Sequence, residues 1–64
     1  PSENMQFASC VAEFGMLLRE SEYSGDITYH DVLTTLNTLE CVYMDKYKHE
    51  FMELVEKSSM YINY

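Results

Sequence analysis

The sequence predicts an all-α fold, a small three-helix domain with helix 1 central. Apolar residues recur at the three- and four-residue spacing of helices along most of the chain. A break at Ser24-Gly25-Asp26 is followed at Thr28 by a helix start signal. The 64 residues leave room for one hydrophobic core, so residues 1–64 form a single domain. A chain this short buries only about 60% of its unfolded surface, and we expect it to rely on a neighbouring surface.

Helix 1 is predicted from Glu3 to about Glu22, with Ser2 or Asn4 as its N-cap. The predicted inner stripe consists of Phe7, Val11, Phe14 and Leu18. Cys10 and Leu17 flank this stripe on one side. The other side carries small or flexible residues, namely Met5, Ala8, Ala12, Gly15 and Met16. Apolar or small side chains therefore cover most of the circumference, which is too much for a two-helix hairpin.

Gly15 stands inside this helix, where glycine costs about 1 kcal/mol relative to alanine. One interpretation is a tolerated lapse in helix propensity. The interpretation we favour is close approach by another backbone, since Ala8, Ala12 and Gly15 form a continuous strip of small residues.

Helix 2 has the clearest start. Gly25 can adopt the left-handed conformation that ends helix 1, and Thr28 and Asp31 then form a short capping box. Ile27 and Val32 occupy the positions of a hydrophobic staple. The helix is predicted from Tyr29 to about Leu39, and its buried residues are Tyr29, Val32, Leu33, Leu36 and Leu39.

Residues 40–44 leave two alternatives open, a strand fragment or a helical segment that fuses helices 2 and 3. Asp45 is predicted to cap helix 3, which extends from Lys46 to about Tyr61. The predicted inner face of helix 3 consists of Tyr47, Phe51, Leu54, Val55, Ser58 and Ile62.

Composition excludes several classes of function. A net charge of −7 argues against nucleic acid and anionic membranes as partners, and no apolar segment reaches the roughly 20 residues of a membrane span. Cys10 and Cys41 permit one disulfide but belong to no CxxC pair, so neither zinc nor redox chemistry is indicated. No nucleophile with a base, acid/base pair or phosphate loop is present, and we expect no enzyme and no cofactor.

The segment from Glu20 to Asp31 offers one alternative, a degenerate EF-hand calcium loop between two helices. Glu20, Glu22, Ser24 and Asp31 fall on ligand positions, and Gly25 takes the glycine position. The first ligand position is normally Asp, and here it is the longer Glu20. The last is normally a Glu that binds through both carboxylate oxygens, and here it is the shorter Asp31. Asp31 is also explained as a capping residue, so a plain turn between helices is the favoured interpretation.

Four motifs carry a resemblance to a known family. They are Phe-Gly-Met-Leu-Leu-Arg at 14–19, Ser-Glu-Tyr-Ser-Gly-Asp at 21–26, Thr-Tyr-His-Asp-Val-Leu at 28–33 and Glu-Phe-Met-Glu-Leu-Val at 50–55. The chain resembles the C-terminal domain that follows a von Willebrand factor type A domain in bacterial envelope proteins. The family's usual Gly/Pro/Asp turn before the last helix is replaced here by Glu40-Cys41-Val42-Tyr43-Met44. The resemblance implies a fragment of a longer precursor at the bacterial envelope, anchored as a lipoprotein through an N-terminal region.

These observations predict a non-enzymatic interaction domain. Its partner would be the parent protein's type A domain or a second copy, and the contact surface would be Met5, Ala8, Ala12, Gly15 and Met16. The alternative is that helices 2 and 3 cover this strip as ordinary core. The chain also has six tyrosines. Tyrosine suits a partly solvated contact surface as well as the edge of a hydrophobic core.

Overall fold

Four helices make up the described part of the domain. The computed structural model of the chain describes residues 2–20, with the Glu20 side chain excepted, and residues 27–61. Within these ranges the helices are α1 (Glu3–Glu20), α2 (Tyr29–Asn37), α3 (Glu40–Met44) and α4 (Lys46–Tyr61). The all-α prediction is confirmed. The predicted turn at Ser24-Gly25-Asp26 lies outside the described residues.

The first two helices begin at the predicted caps. The Ser2 hydroxyl accepts a hydrogen bond from the Met5 amide at 3.2 Å, so Ser2 rather than Asn4 caps α1. The Thr28 hydroxyl accepts from the Asp31 amide, and the Asp31 carboxylate accepts from the Thr28 amide, both at 3.1 Å. This reciprocal pair is the predicted capping box, and it satisfies amides that the first turn of α2 leaves free.

The cap of α4 is also the predicted one. One carboxylate oxygen of Asp45 accepts hydrogen bonds from the amides of Tyr47 at 2.8 Å and Lys48 at 3.2 Å. Lys48 also pairs with Asp45 through its ammonium at 3.4 Å. The two amides hold the pKa of the Asp45 carboxyl below its usual range, the Lys48 amide contributing most.

Residues 40–44 form a separate short helix, which is neither of the two alternatives left open by the sequence. Leu39 before it (φ −94°, ψ 117°) and Asp45 after it (φ −116°, ψ 120°) both take extended backbone. Each change of direction thus uses one residue at negative φ, a conformation open to any residue. That is why the connection needs neither glycine nor proline.

The hydrophobic core is centred on α2. Its fully or almost fully buried members are Cys10, Val32, Leu36, Leu39, Val42 and Val55. The predicted buried face of α2 is confirmed, with Leu33 half-buried at its edge and packed against the core. The α2 backbone lies close to all three other helices, whereas α1 reaches α4 mainly through aromatic side chains. Helix α2 therefore shares the central position that the sequence assigned to helix 1 alone.

The inner face of α1 differs from the predicted stripe. Cys10, Phe14 and Leu17 are buried, while Val11 and Leu18, predicted to be inside, are exposed. The Phe14 ring meets the Phe51 ring edge-on at 5.5 Å, and contacts of this kind set the rotation of the helix. The prediction placed Val11 and Leu18 wrongly because both flanks of the true stripe are apolar, and spacing alone could not choose between them.

The inner face of α4 also needs correction. Met52 and Val55 are buried, whereas Tyr47 and Leu54, predicted to be inside, are exposed. The predicted Phe51 and Ser58 are half-buried, and Ile62 lies outside the described residues. Phe51 packs its ring edge-on against Phe7 at 5.3 Å, and the following residue, Met52, is buried in the core.

Candidate functional site

The five predicted contact residues on α1 all lie at the surface. Met5 and Met16 expose 65% and 41% of their area, and Ala8, Ala12 and Gly15 are exposed between them. Helices α2, α3 and α4 therefore leave this strip uncovered within the domain. The alternative that it forms ordinary core does not hold.

Two further apolar residues join the strip. Val11 and Leu18 expose 43% and 53% of their area and extend it along α1. We call the combined surface the outer α1 face, which consists of Met5, Ala8, Val11, Ala12, Gly15, Met16 and Leu18. The sequence did not identify Val11 and Leu18 as part of this surface, because their spacing predicted that they lie in the core. Six of the seven residues carry aliphatic or thioether side chains, and glycine is the seventh.

Gly15 has no packing role within the described part of the domain. Apart from its chain neighbours and the backbone of its own helix, no described atom lies within 4 Å of the position that a Cβ would occupy on Gly15. The close backbone approach that we favoured from the sequence is thus wrong for the domain's own helices. An uncompensated glycine costs the helix about 1 kcal/mol relative to alanine. Any compensating contact would have to come from outside the described part of the domain.

Charge on the outer α1 face is sparse. At 100° per residue, Arg19 projects between Ala8 and Ala12, and it is the one charged residue that the described side chains place there. Glu13 projects from another side of α1 and is half-buried. The face therefore combines a broad apolar area with a single cation at its C-terminal end.

A long-range contact fastens the start of α1 to α3. The Glu3 carboxylate accepts hydrogen bonds from the amides of Glu40 and Cys41, both at 3.0 Å. Leu39, which precedes α3, has no side chain that can cap it, so Glu3 caps this helix from 37 residues away. These amides hold the pKa of the Glu3 carboxyl below its usual value, the Glu40 amide contributing most.

Both cysteines are free thiols. Cys10 is buried in the core and Cys41 is half-buried at the start of α3. Burial raises the pKa of both thiols, and the neighbouring Glu3 carboxylate raises that of Cys41 further. Because the thiolate is the reactive form, this shift disfavours reaction at either side chain.

Asp31 is engaged as a helix cap, as described above. The other three predicted calcium ligands, the Glu20 side chain, Glu22 and Ser24, lie outside the described residues, so the calcium alternative stays a prediction. Across the part of the chain that the structure describes, no group of three or more His, Cys, Asp or Glu residues is placed to hold a metal ion.

A polar cluster at the junction of α3 and α4 was not predicted. The Tyr43 hydroxyl donates to the Asn37 side-chain oxygen at 2.6 Å, and the Tyr43 ring lies 6.0 Å from the His49 ring. His49 Nε2 lies 3.8 Å from a carboxylate oxygen of Glu53. The residues involved come from α2, α3 and α4, and no local sequence signal indicates that they lie together. The cluster links helix ends and forms no enclosed site.

The fold and this surface define a small all-α domain with an uncovered apolar face on its first helix. The chain belongs to the family described as "Uncharacterized protein YfbK, C-terminal", whose model matches residues 1–60. No curated protein and no solved structure matches the chain. Among the described residues, no helix has both the length and the apolar character needed to cross a membrane.

Proposed function

We propose that this chain is a non-enzymatic contact domain whose outer α1 face docks onto another part of its parent protein. The observation that carries the proposal is the exposure of Met5, Met16 and Leu18 beside a glycine whose missing Cβ would meet no other described helix. Exposed apolar surface of this continuity marks contact sites in small proteins. Flexible methionine side chains adapt to irregular partners, and small residues let a second backbone come close.

The polar side chains at the helix starts support a non-enzymatic role. Glu3, Thr28, Asp31 and Asp45 are each committed to backbone amides, and their geometry is that of helix caps. The raised pKa of the thiols of buried Cys10 and half-buried Cys41 disfavours the thiolate that a nucleophile needs.

The partner that we propose is the parent's own von Willebrand factor type A domain, in a bacterial envelope protein anchored as a lipoprotein. This part of the proposal is supported by the resemblance at residues 14–19, 21–26, 28–33 and 50–55. A second copy of the chain is the competing occupant, but a net charge of −7 on each copy opposes self-association over most of the surface.

The test is the melting temperature of this domain inside the parent protein compared with that of the isolated chain. Docking stabilises the domain, and each kcal/mol of docking energy raises the midpoint by about 4–8 °C. Gly15→Leu should abolish the increase, because a large side chain separates the two surfaces. Gly15→Ala is the matched variant and should retain most of it.

An unchanged increase in Gly15→Leu would place the docking surface elsewhere. A midpoint of the isolated chain that rises with its own concentration and is sensitive to Gly15→Leu would identify a second copy as the occupant. Identical midpoints in the parent and the isolated chain would remove the docking proposal.

A further inference from the structure

A second exposed stripe follows α4. Tyr47, Leu54 and Tyr61 stand seven residues apart and expose 78%, 52% and 86% of their area. Glu50 and Lys57 are also exposed and lie between them, which gives the 3-4-3-4 spacing of one helical seam. We call these five residues the α4 stripe. The buried residues of α4 project elsewhere, so the domain itself makes no use of this seam.

The order of residue types along the α4 stripe is self-complementary. It reads Tyr, Glu, Leu, Lys, Tyr, with Leu54 in the middle. Suppose that two α4 helices lie antiparallel about a two-fold axis at Leu54. Each Tyr47 then lies opposite the other copy's Tyr61, and each Glu50 lies about 1.5 Å along the axis from the other copy's Lys57. Both charged pairs form at once because the symmetry repeats them.

Charge balance also singles out α4. The helix carries three lysines and three glutamates, which are Lys46, Lys48, Lys57, Glu50, Glu53 and Glu56. These cancel, so the whole net charge of −7 resides in the rest of the chain, where eight acidic residues face one arginine. Apart from the outer α1 face, two copies that meet through other surfaces bring unbalanced negative charge together, whereas two that meet through α4 do not.

We propose that the α4 stripe is a contact between two copies of this chain, an antiparallel and isologous helix pair centred on Leu54. The 16-residue helix is about 24 Å long, so the buried area falls at the small end of specific interfaces. The dimer is therefore weak and reversible. This contact is separate from the outer α1 face and does not depend on the function proposed for that face.

Charge reversal tests the register directly. Sedimentation equilibrium of the 64-residue chain up to about 1 mM should show a reversible dimer, in keeping with a small interface. Glu50→Lys places two lysines together at both symmetric positions, and Lys57→Glu places two glutamates there. Each variant alone should dimerise at least about tenfold more weakly, since like charges in contact cost affinity. Their equimolar mixture should recover a heterodimer with both pairs complementary.

The control is Glu56→Lys, which makes the same change in net charge on an exposed part of α4 away from the stripe. It should not weaken the dimer. Leu54→Ser removes the central apolar contact from an exposed position, so the variant keeps the fold and should be monomeric. Circular dichroism verifies that every variant keeps its helices.

Three results would overturn the proposal. One is a wild-type chain that stays monomeric across the whole concentration range. Another is a dimer that Glu50→Lys and Leu54→Ser leave unchanged. The third is a mixture of the two charge-reversal variants that fails to associate, which would contradict the antiparallel register.

Discussion

The buried face of α2 and the outer α1 face are built from similar apolar residues but end in opposite environments. Val32 and Leu36 on α2 have no exposed area, because α1, α3 and α4 surround them. Met5 and Leu18 on α1 expose more than half of their area. The difference teaches that a chain of this size can seal one helical face but not a helix that is apolar nearly all round. We propose that a partner docks on the unsealed face.

The largest expected effect is the difference in stability loss between a substitution on the buried face of α2 and one on the outer α1 face. Leu36→Ala removes a fully buried side chain and should cost about 2–5 kcal/mol, which approaches the whole stability of a small domain. Leu18→Ala removes the same atoms from the exposed face and should cost less than about 1 kcal/mol. Urea unfolding followed by circular dichroism measures both. Equal losses would mean that the outer α1 face is packed within the domain after all.

A second prediction concerns the contact that fastens α1 to α3. The folded pKa of Glu3 is depressed, so its contribution to stability is fully present above the unfolded pKa of about 4.3 and is lost as pH falls through the folded value. Asp45, with a pKa depressed by its own amide bonds, acts in the same direction. The urea midpoint should therefore fall on acidification below about pH 5.

Glu3→Gln should lower the midpoint at pH 7 and make the acid decline shallower. Glu13→Gln serves as the matched control, since it removes one carboxylate from the same helix without touching an α3 amide. Parallel pH profiles for wild type and Glu3→Gln would show that the Glu3 contact contributes nothing.

The smallest expected effect is a gain in the stability of the isolated chain. Gly15→Ala should raise the stability of the isolated chain by about 0.5–1 kcal/mol, because the new methyl group meets no neighbour and alanine favours the helix. Ser9→Ala, at another exposed position of α1, should change stability by a smaller amount. A loss of stability in Gly15→Ala would mean that something in the isolated chain occupies the space beside this glycine.

The sequence predicted the start and the buried face of α2 because their signals are local, although the helix ends at Asn37 and not at about Leu39. Thr28, Asp31 and the spacing of Val32 and Leu36 all act within one or two turns. The rotations of α1 and α4 about their axes were less predictable, because apolar residues flank the inner face of each helix. Ring contacts such as Phe14–Phe51 decide which of these residues face the core. The Glu3 cap spans 37 residues and has no local signal at all.

The exposed strip of α1 was predicted in part for the same reason. Ala8, Ala12 and Gly15 recur at helical spacing, so the sequence could identify them as a strip of small residues. Leu18 was missed because its type and spacing equally suit the inside. Periodicity tells which residues can share a face, and the neighbouring helices decide whether that face is covered.

The most direct measurement of the central claim is the oxidation of individual methionines by dilute peroxide, followed by mass spectrometry. Met52 in the core and Met44 at the surface provide slow and fast internal references. In the isolated chain, Met16 should be oxidised at a rate much closer to that of Met44 than to that of Met52. In the parent protein, the rate at Met16 should fall severalfold while Met44 stays unchanged. An equal rate at Met16 in both proteins would contradict docking through the outer α1 face.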